Sequence, residues 1–271
     1  MPQGGLESTA TPDRSSNLRI AMAQMLVVCG EREANLSRAV RMIERAAAQG
    51  ARIVVLPECL DLGWTWPGAR ADALPVPGPV TGCLAAAARR ESIYVVAGVT
   101  ERAGERVYNA AVLISPAGEI LIRHRKINEL DIARDLYATG ESLVVARTDV
   151  GVVGLAICAD NFPESLCLGR ALGRMGAQLL LSPCAWAVDA DHDNAATPYG
   201  ELWLGAYRSI TQEYPVTVVG VSNVGWLTGG PWKGRKCIGC SIAMGPGGRL
   251  LAMGPYGEDA EALVSVEIPA T

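Results

Sequence analysis

Alternation of short apolar runs with helical patterns is the feature that most limits the folds open to this chain. Near-continuous Val, Ile and Leu occupy residues 52–56, 151–157, 178–183 and 216–222. Before the first of these runs, residues 31–50 carry apolar side chains every three or four positions and close with a glycine, which is typical of an amphipathic helix. Strands buried on both faces and alternating with helices predict an α/β fold with helix-covered sheets.

Some neighbouring strands must pair as hairpins. The runs predicted as strands at 93–100, 107–114 and 119–123 follow one another too closely for helical crossovers. The sheets are therefore predicted to be mixed, and a strand is also expected over "CIGCSIAM", residues 237–244. The two halves of the chain repeat a similar order of elements, without a sequence repeat at a fixed period.

The chain has the size of one large domain. Its 271 residues bury enough surface to fold without a disulfide or a metal. Residues 1–17 are polar and without periodicity, which predicts a flexible N-terminal leader before a single domain at 18–271. The apolar segment 20–29 contains Gln24, lacks a signal cleavage site and is too short to span a bilayer, so it is interpreted as a buried first strand.

Charge and cysteine usage exclude several classes of protein. A net charge of −4 and a pI near 5.4 argue against nucleic-acid binding, which favours a basic surface. The eight scattered cysteines are interpreted as reduced thiols of a cytoplasmic protein, with no membrane partner. Two metal-like patterns are rejected: residues 189–194 lack the glycine and glutamate of a calcium loop, and the pair at 237 and 240 has no second pair. No metal or other cofactor is predicted.

Three reactive side chains stand at or just beyond the carboxyl ends of predicted strands. They are Glu58, Lys126 and Cys158, and ligands of open α/β sheets bind where strands end in this way. Each has an ordinary alternative: inert packing for the cysteine, a surface loop for the glutamate, and a solvated basic edge for the lysine. Pro163 suits the first turn of a following helix, and a cysteine at such a helix entrance is expected to favour the thiolate.

A cysteine nucleophile needs a base, and the chain offers two kinds. One is a histidine: only His124 and His192 occur, and His124 shares a strand face with Lys126. The other is Glu58, if burial raises its pKa toward neutrality. Lys126 would then stabilise a tetrahedral oxyanion, helped by the backbone N–H of Ala159.

The segments "VVLPE", "RHRK" and "CADNFPE", in that order, resemble the nitrilase superfamily of carbon–nitrogen hydrolases. The resemblance extends over nearly all of the chain after the leader. It implies a four-layer α-β-β-α sandwich with two mixed sheets, which is expected to dimerise, and a Glu-Lys-Cys triad that needs no cofactor. Residue by residue, it assigns Glu58 as the base, Lys126 as the stabiliser of the intermediate and Cys158 as the nucleophile.

Two departures from the family pattern stand out. Many relatives carry a second buried glutamate at a position that corresponds to Ala133 here. The nearby acids Glu129, Asp131 and Asp135 are candidates to replace it, with Glu129 the first choice, against the alternative of an exposed loop acid. The chain also ends at "VEIPAT", residues 266–271, where many relatives continue with a tail that packs on a partner subunit. A homodimer or higher homo-oligomer is expected by analogy.

Tryptophans near the three motifs are candidates for substrate contact. Trp64 follows Glu58, and Trp186 follows the strand at 178–183, so two strand ends would bring indole rings near the thiol. Plain packing is the alternative for both. Asn161 and Phe162 are expected to support the turn after the cysteine.

The leading hypothesis is a hydrolase that cleaves a small amide, an N-carbamoyl compound or a nitrile through a thioester. An amidase or carbamoylase is favoured over a true nitrilase, by analogy alone. One alternative from a different class is a catalytically silent binding module that keeps the fold, because the usual second glutamate is missing from its position. The other is a Cys-His hydrolase that uses His124.

Overall fold

The computed structural model describes residues 17–269. The predicted leader, residues 1–17, lies outside the described residues except for Asn17, and so do the last two residues of the chain.

The described residues form fifteen strands and five helices. The strands are β1 Leu18–Gln24, β2 Ile53–Val55, β3 Tyr94–Ala103, β4 Arg106–Ile114, β5 Ile120–Arg125, β6 Val145–Thr148, β7 Gly151–Leu155, β8 Leu179–Cys184, β9 Ala187–Val188, β10 Thr217–Ser222, β11 Val224–Trp226, β12 Lys236–Ile238, β13 Ile242–Gly245, β14 Arg249–Met253 and β15 Ala262–Ile268. The helices are α1 Arg32–Ala48, α2 Ala69–Asp72, α3 Pro79–Glu91, α4 Leu166–Arg174 and α5 Glu201–Glu213.

Two six-stranded sheets have the same internal plan. The first has the order β15-β1-β2-β3-β4-β5, and the second has the order β6-β7-β8-β10-β13-β14. In both, the second, third and fourth strands run parallel to one another and the outer pairs are antiparallel. The similar order of elements in the two halves of the sequence therefore corresponds to two similar sheets, and the prediction of mixed sheets is confirmed.

The alternation of side chains along β1 shows which layer lies on each of its two faces. Ile20 and Met22 lie in the core cluster shared with the second sheet, whereas Ala21 and Ala23 lie in the cluster beneath α1 and α3. Because successive strand residues point to opposite faces, β1 is buried on both sides. Small alanines face the helices, and larger side chains fill the space between the sheets.

Helices cover the outer face of each sheet. On the first sheet, α1 packs beside α3, and on the second α4 packs beside α5. Across the interface between the sheets, β1 contacts β10 and β3 contacts β8. The resulting order of layers is helix, sheet, sheet, helix, which confirms the predicted four-layer α-β-β-α sandwich.

The strand predicted over residues 237–244 is wrong as a single element. It divides into β12 and β13 because Gly239 and Cys240 have positive φ angles, +65° and +57°. The side chain of Gln24 fills the gap: a Cβ atom on Gly239 would lie 2.1 Å from Gln24 Nε2. Gln24 Oε1 accepts hydrogen bonds from the Ser241 N–H and hydroxyl, at 3.1 and 3.0 Å. A buried amide thus replaces the ladder bonds that an unbroken strand would make.

No helix within residues 17–269 is long and apolar enough to cross a membrane. The same described residues hold no group of three or more His, Cys, Asp or Glu side chains arranged to bind a metal ion. Cys237 and Cys240 are buried free thiols.

Candidate active site

The three reactive side chains meet where the two sheets come together. Glu58 follows β2 and Lys126 follows β5, both in the first sheet, whereas Cys158 follows β7 in the second. Lys126 Nζ donates to Glu58 Oε1 at 2.7 Å, and Lys126 and Cys158 line one cavity. The ends of strands from different sheets therefore place a carboxylate, an ammonium and a thiol at one site.

The backbone at Glu58 is held from both sheets. Its N–H donates to the carbonyl of Cys184 in β8, at 3.2 Å, so the bond joins a loop of the first sheet to a strand of the second. Gly98 of β3 lies directly against it, because a Cβ atom on Gly98 would come within 2.5 Å of the Glu58 Cα. A side chain at position 98 would displace the glutamate.

The carboxylate of Glu58 has one oxygen fixed and one available. Oε1 accepts hydrogen bonds from Asn109 Nδ2, at 2.6 Å, and from Lys126 Nζ. The carbonyl of Asn109 also accepts the Lys126 N–H, at 2.8 Å, so Asn109 aligns both groups. Oε2 is buried and has no hydrogen-bond partner within the described part of the chain. A carboxylate oxygen in that state is suited to accept a proton.

Lys126 is a buried ammonium between two glutamates. Burial by itself lowers its pKa, but the charges of Glu58 and Glu129 outweigh burial and hold the pKa well above the ordinary value. Glu129 Oε2 lies 3.8 Å from Lys126 Nζ. Lys126 therefore stays charged at neutral pH, with its charge already largely balanced by the protein.

Glu129, the candidate for the second carboxylate, lies inside the protein and not on an exposed loop. Burial, with Lys126 opposing and Glu58 reinforcing it, raises the pKa of Glu129 to about 8. Both of its oxygens are buried and lack hydrogen-bond partners among residues 17–269. Glu129 is thus a mostly neutral carboxyl group with free hydrogen-bonding capacity beside Lys126.

Cys158 sits on a strained turn. Its φ angle is +42°, in the left-handed region that a non-glycine residue rarely adopts. The Cys158 N–H donates to Ser182 Oγ at 3.2 Å, and Asn161 Nδ2 donates to the same oxygen at 3.0 Å. Asn161 supports the turn, as expected. Ser182, which the sequence analysis did not single out, anchors it to β8.

The prediction that a helix entrance favours the Cys158 thiolate is wrong. A 3₁₀ turn over Cys158–Asn161 and a second over Pro163–Ser165 follow the cysteine, and α4 begins only at Leu166. Contact with the Cys184 thiol, burial and the negative charge of Glu58 all raise the pKa of Cys158 well above its usual range, against Lys126, which lowers it. Cys158 is therefore expected to rest as a thiol, which would have to lose its proton before the sulfur could act as a nucleophile.

His124 is occupied elsewhere. Its Nε2 forms a 2.8 Å hydrogen bond with Asp160 Oδ2, and Asp160 also accepts the backbone N–H groups of Ile157 and Ile127, at 2.9 and 3.0 Å. Burial raises the pKa of Asp160, but the bond to His124 and the backbone donors outweigh burial and lower it. His124 therefore holds the turn around Cys158 through Asp160, which disfavours the alternative in which His124 is the base.

An aromatic cavity of about 310 Å³ leads to Lys126 and Cys158. Trp64 and Trp186 line it, as the sequence predicted, but Ala159 is buried outside the lining. Four more rings were missed. They are Phe162, Tyr199, Trp203 and Trp232. Trp203 occupies an inward position of α5, where sequence alone does not distinguish a pocket wall from packing.

Comparisons with known proteins agree with this fold and show the family. The family model described as "Carbon-nitrogen hydrolase" matches residues 19–271. An omega-amidase of Danio rerio is 34% identical over 182 residues, which are 63% of this chain and 64% of that protein. A nitrilase of Pyrococcus abyssi is 29% identical over 259 residues, 93% of this chain and 90% of that one. The crystal structure of an amidase from Nesterenkonia sp. superimposes with a TM-score of 0.78 at 24% identity, covering 97% of this chain and 94% of that one.

The four-layer sandwich and the matched family model place this chain in one class of hydrolases. This chain belongs to the carbon–nitrogen hydrolase family, as the resemblance to the nitrilase superfamily predicted. It spans a little under two thirds of the length of the Danio rerio omega-amidase.

Proposed function

We propose that this protein is an amidase that hydrolyses a small carboxamide through a thioester on Cys158. The observation that carries the proposal is the buried Lys126–Glu58 pair, 2.7 Å long, at the inner end of the cavity that Cys158 lines. The similarity to omega-amidases supports an amide as the substrate. Amide cleavage is accordingly favoured over nitrile cleavage. An N-carbamoyl compound stays a candidate substrate beside a simple amide.

In the first half-reaction, Glu58 Oε2 takes the proton from Cys158 Sγ as the sulfur attacks the amide carbonyl carbon. This assignment follows from the raised pKa of the thiol and the unpartnered oxygen on the carboxylate. The tetrahedral intermediate carries an oxyanion, which the Lys126 ammonium stabilises. Glu58 then returns the proton to the nitrogen, the C–N bond breaks, and ammonia leaves behind a thioester.

In the second half-reaction, water replaces ammonia. Glu58 removes a proton from the water as its oxygen attacks the thioester carbonyl carbon, and Lys126 again faces the oxyanion. The C–S bond breaks, the sulfur recovers the proton from Glu58, and a carboxylic acid is released. The same two side chains serve both halves, so neither metal nor organic cofactor enters the scheme.

The role proposed for Glu129 is that of a neutral hydrogen-bonding group beside Lys126. Because its pKa is about 8, it is protonated at neutral pH and ionises as the pH rises through 8. Ionisation adds a negative charge where the oxyanion develops, so wild-type kcat/KM is expected to fall above pH 8. In Glu129→Gln this fall should disappear, with activity at pH 7 retained to within about tenfold.

Stability gives an independent check on the same residue. Its raised pKa means that folding disfavours the ionised form, so the wild type should lose stability relative to Glu129→Gln between the ordinary pKa of 4.5 and about 8. The measurements are a pH–rate profile and urea unfolding at several pH values. If kcat/KM of Glu129→Gln still falls above about pH 8, the role proposed for Glu129 is contradicted.

The direct test of the function is release of ammonia from parallel panels of amides, ureido acids and nitriles. We expect turnover of at least one carboxamide, with amides exceeding nitriles of matching skeleton. A silent binding module predicts no ammonia from any panel, whether or not the compounds bind. Turnover restricted to nitriles would overturn the preference for amides and leave the cysteine chemistry intact.

The cytoplasmic setting and the homo-oligomer also belong to this proposal. All eight cysteines lie within residues 17–269 and are free thiols, which supports a reducing compartment. Oligomerisation stays a prediction that rests on the family resemblance.

A further inference from the structure

We propose that the cavity selects amides whose acyl group is uncharged and flat, an aryl-alkyl group above all, and rejects amides that carry a carboxylate. The inference rests on the proposed amidase function and narrows its substrate class. Its basis is the combination of aromatic cavity walls with a catalytic centre in which Glu58 already balances the positive charge of Lys126.

Six rings form the walls in two groups. In the first group, Trp186 stacks on Trp203 with centroids 4.8 Å apart and planes at 21°. Phe162 lies 5.1 Å from Trp203, and Tyr199 lies 6.2 Å from Trp186. The second group is Trp64 with Trp232, edge to face at 5.0 Å. These rings are held by one another, so they offer rigid apolar surfaces with little conformational entropy to lose when a flat ligand binds.

The inner end of the cavity is electrically balanced. Lys126 supplies one positive charge, Glu58 supplies one negative charge in direct contact with it, and Glu129 lies 3.8 Å away. The ammonium is therefore paired with the Glu58 carboxylate, 2.7 Å away. A substrate carboxylate near it would compete with Glu58 instead of meeting a free cation.

The rest of the lining offers an anion no strong partner. Among the lining residues within 17–269, Lys126 is the only Lys or Arg, Glu201 is the only carboxylate, and His192 is the only imidazole. Glu201 is exposed at the start of α5. A carboxylate taken from water into this cavity would face ring surfaces that carry negative quadrupole density, with little to replace its hydration.

Matched amides separate charge from shape. Succinamate and 4-oxopentanamide have the same number of non-hydrogen atoms and differ in ending with a carboxylate or a methyl ketone. We expect kcat/KM to favour the neutral compound by on the order of 100-fold. Comparison of 4-phenylbutyramide with butyramide tests the walls, and a KM at least about tenfold lower is expected for the phenyl compound.

A charge-reversal variant reports on the mouth of the cavity. In Glu201→Arg, kcat/KM for succinamate should rise about tenfold relative to the matched control Glu201→Gln. The exposed position of Glu201 makes both variants compatible with folding. An unchanged ratio of succinamate to 4-oxopentanamide turnover in Glu201→Arg counts against electrostatic exclusion.

Alkylation of Cys158 tests the same selectivity without turnover. Iodoacetamide and iodoacetate differ by one charge, and the exposed thiols of Cys83 and Cys167 correct for their different intrinsic reactivities. Peptide mass spectrometry should give a ratio of iodoacetamide to iodoacetate labelling about tenfold or more higher at Cys158 than at the two exposed sites.

The two proposals fail in different ways. If no amide is hydrolysed, the amidase function is overturned and the alkylation ratio alone decides the charge selectivity. If succinamate is turned over as well as 4-oxopentanamide, the selectivity is overturned and the amidase function stands. Equal labelling ratios at all three cysteines, or no labelling of Cys158 by iodoacetamide, also overturn the selectivity.

Discussion

Replacing Cys158 with Ala or Ser is expected to abolish amide hydrolysis while the protein stays folded. The thioester requires the sulfur, so kcat should fall by about 10⁴-fold or more in Cys158→Ala. In Cys158→Ser the hydroxyl keeps the position but gives up its proton far less readily than a thiol and is a weaker nucleophile, so turnover should also be lost. The measurement is ammonia release under saturating substrate.

A measurement of thermal stability shows whether the loss of activity comes from the missing sulfur or from unfolding of the variant. Cys158 has a φ of +42°, and Ala and Ser keep the same strain, so thermal midpoints should stay within about 4 °C of the wild type. The matched control is Cys83→Ser, at an exposed free thiol, which should retain full activity. Activity of Cys158→Ala near the wild-type level would refute the covalent mechanism.

Replacing Glu58 with Gln is expected to lower kcat/KM by about 10³- to 10⁴-fold. The amide of Gln has nearly the shape of the carboxylate and can still accept from Asn109 and Lys126, but it takes up no proton at neutral pH. The thiol at position 158 has a raised pKa, so without a base it remains protonated and unreactive. The loss should therefore appear in the alkylation rate of Cys158 as well as in turnover.

Two comparisons sharpen this second prediction. Glu105→Gln makes the same chemical change in the exposed turn between β3 and β4 and should leave turnover unchanged. Asn109→Ala keeps the base but removes the bond that aligns Oε1, so its loss should be smaller than that of Glu58→Gln. A His124→Gln variant with a larger loss than Glu58→Gln would favour the histidine as the base instead.

Much of the fold follows from periodicity. Apolar runs of strand length, alternating with helical patterns, predicted an α/β protein with mixed sheets. The four layers and the family came from three short motifs in order. The break between β12 and β13 at Gly239 and Cys240 was missed. It depends on the buried side chain of Gln24, which replaces the strand-to-strand hydrogen bonds there, and no local sequence pattern marks such a distant contact.

The meeting of Glu58, Lys126 and Cys158, which form the proposed triad, was predictable because all three stand at strand ends, and strand ends can be read from the hydrophobic pattern. Glu129 was reached through the resemblance and its closeness to Lys126 in sequence. Asn109, in contrast, lies in the middle of β4 and is indistinguishable by pattern from any buried polar residue. Its role depends on the register of β4 with β3 and β5, which only the folded sheet reveals.

The error about the Cys158 thiolate has a physical cause. Pro163 was taken as the first turn of a helix whose dipole would reach the thiol, but 3₁₀ turns separate the two. The path of β8 brings the Cys184 thiol next to Cys158. This contact raises the pKa of Cys158, and it joins residues too far apart in the sequence for a local pattern to reveal. Pocket rings such as Trp203 were missed for the same reason.

The hydrogen bond from the Glu58 N–H to the Cys184 carbonyl joins the loop that carries the proposed base to β8, the strand whose Ser182 anchors the turn of Cys158. Neither half of the molecule contains a complete reaction centre. The proposed chemistry therefore requires the two sheets to be packed against each other, because a form in which they separate no longer holds Glu58 and Cys158 at one site.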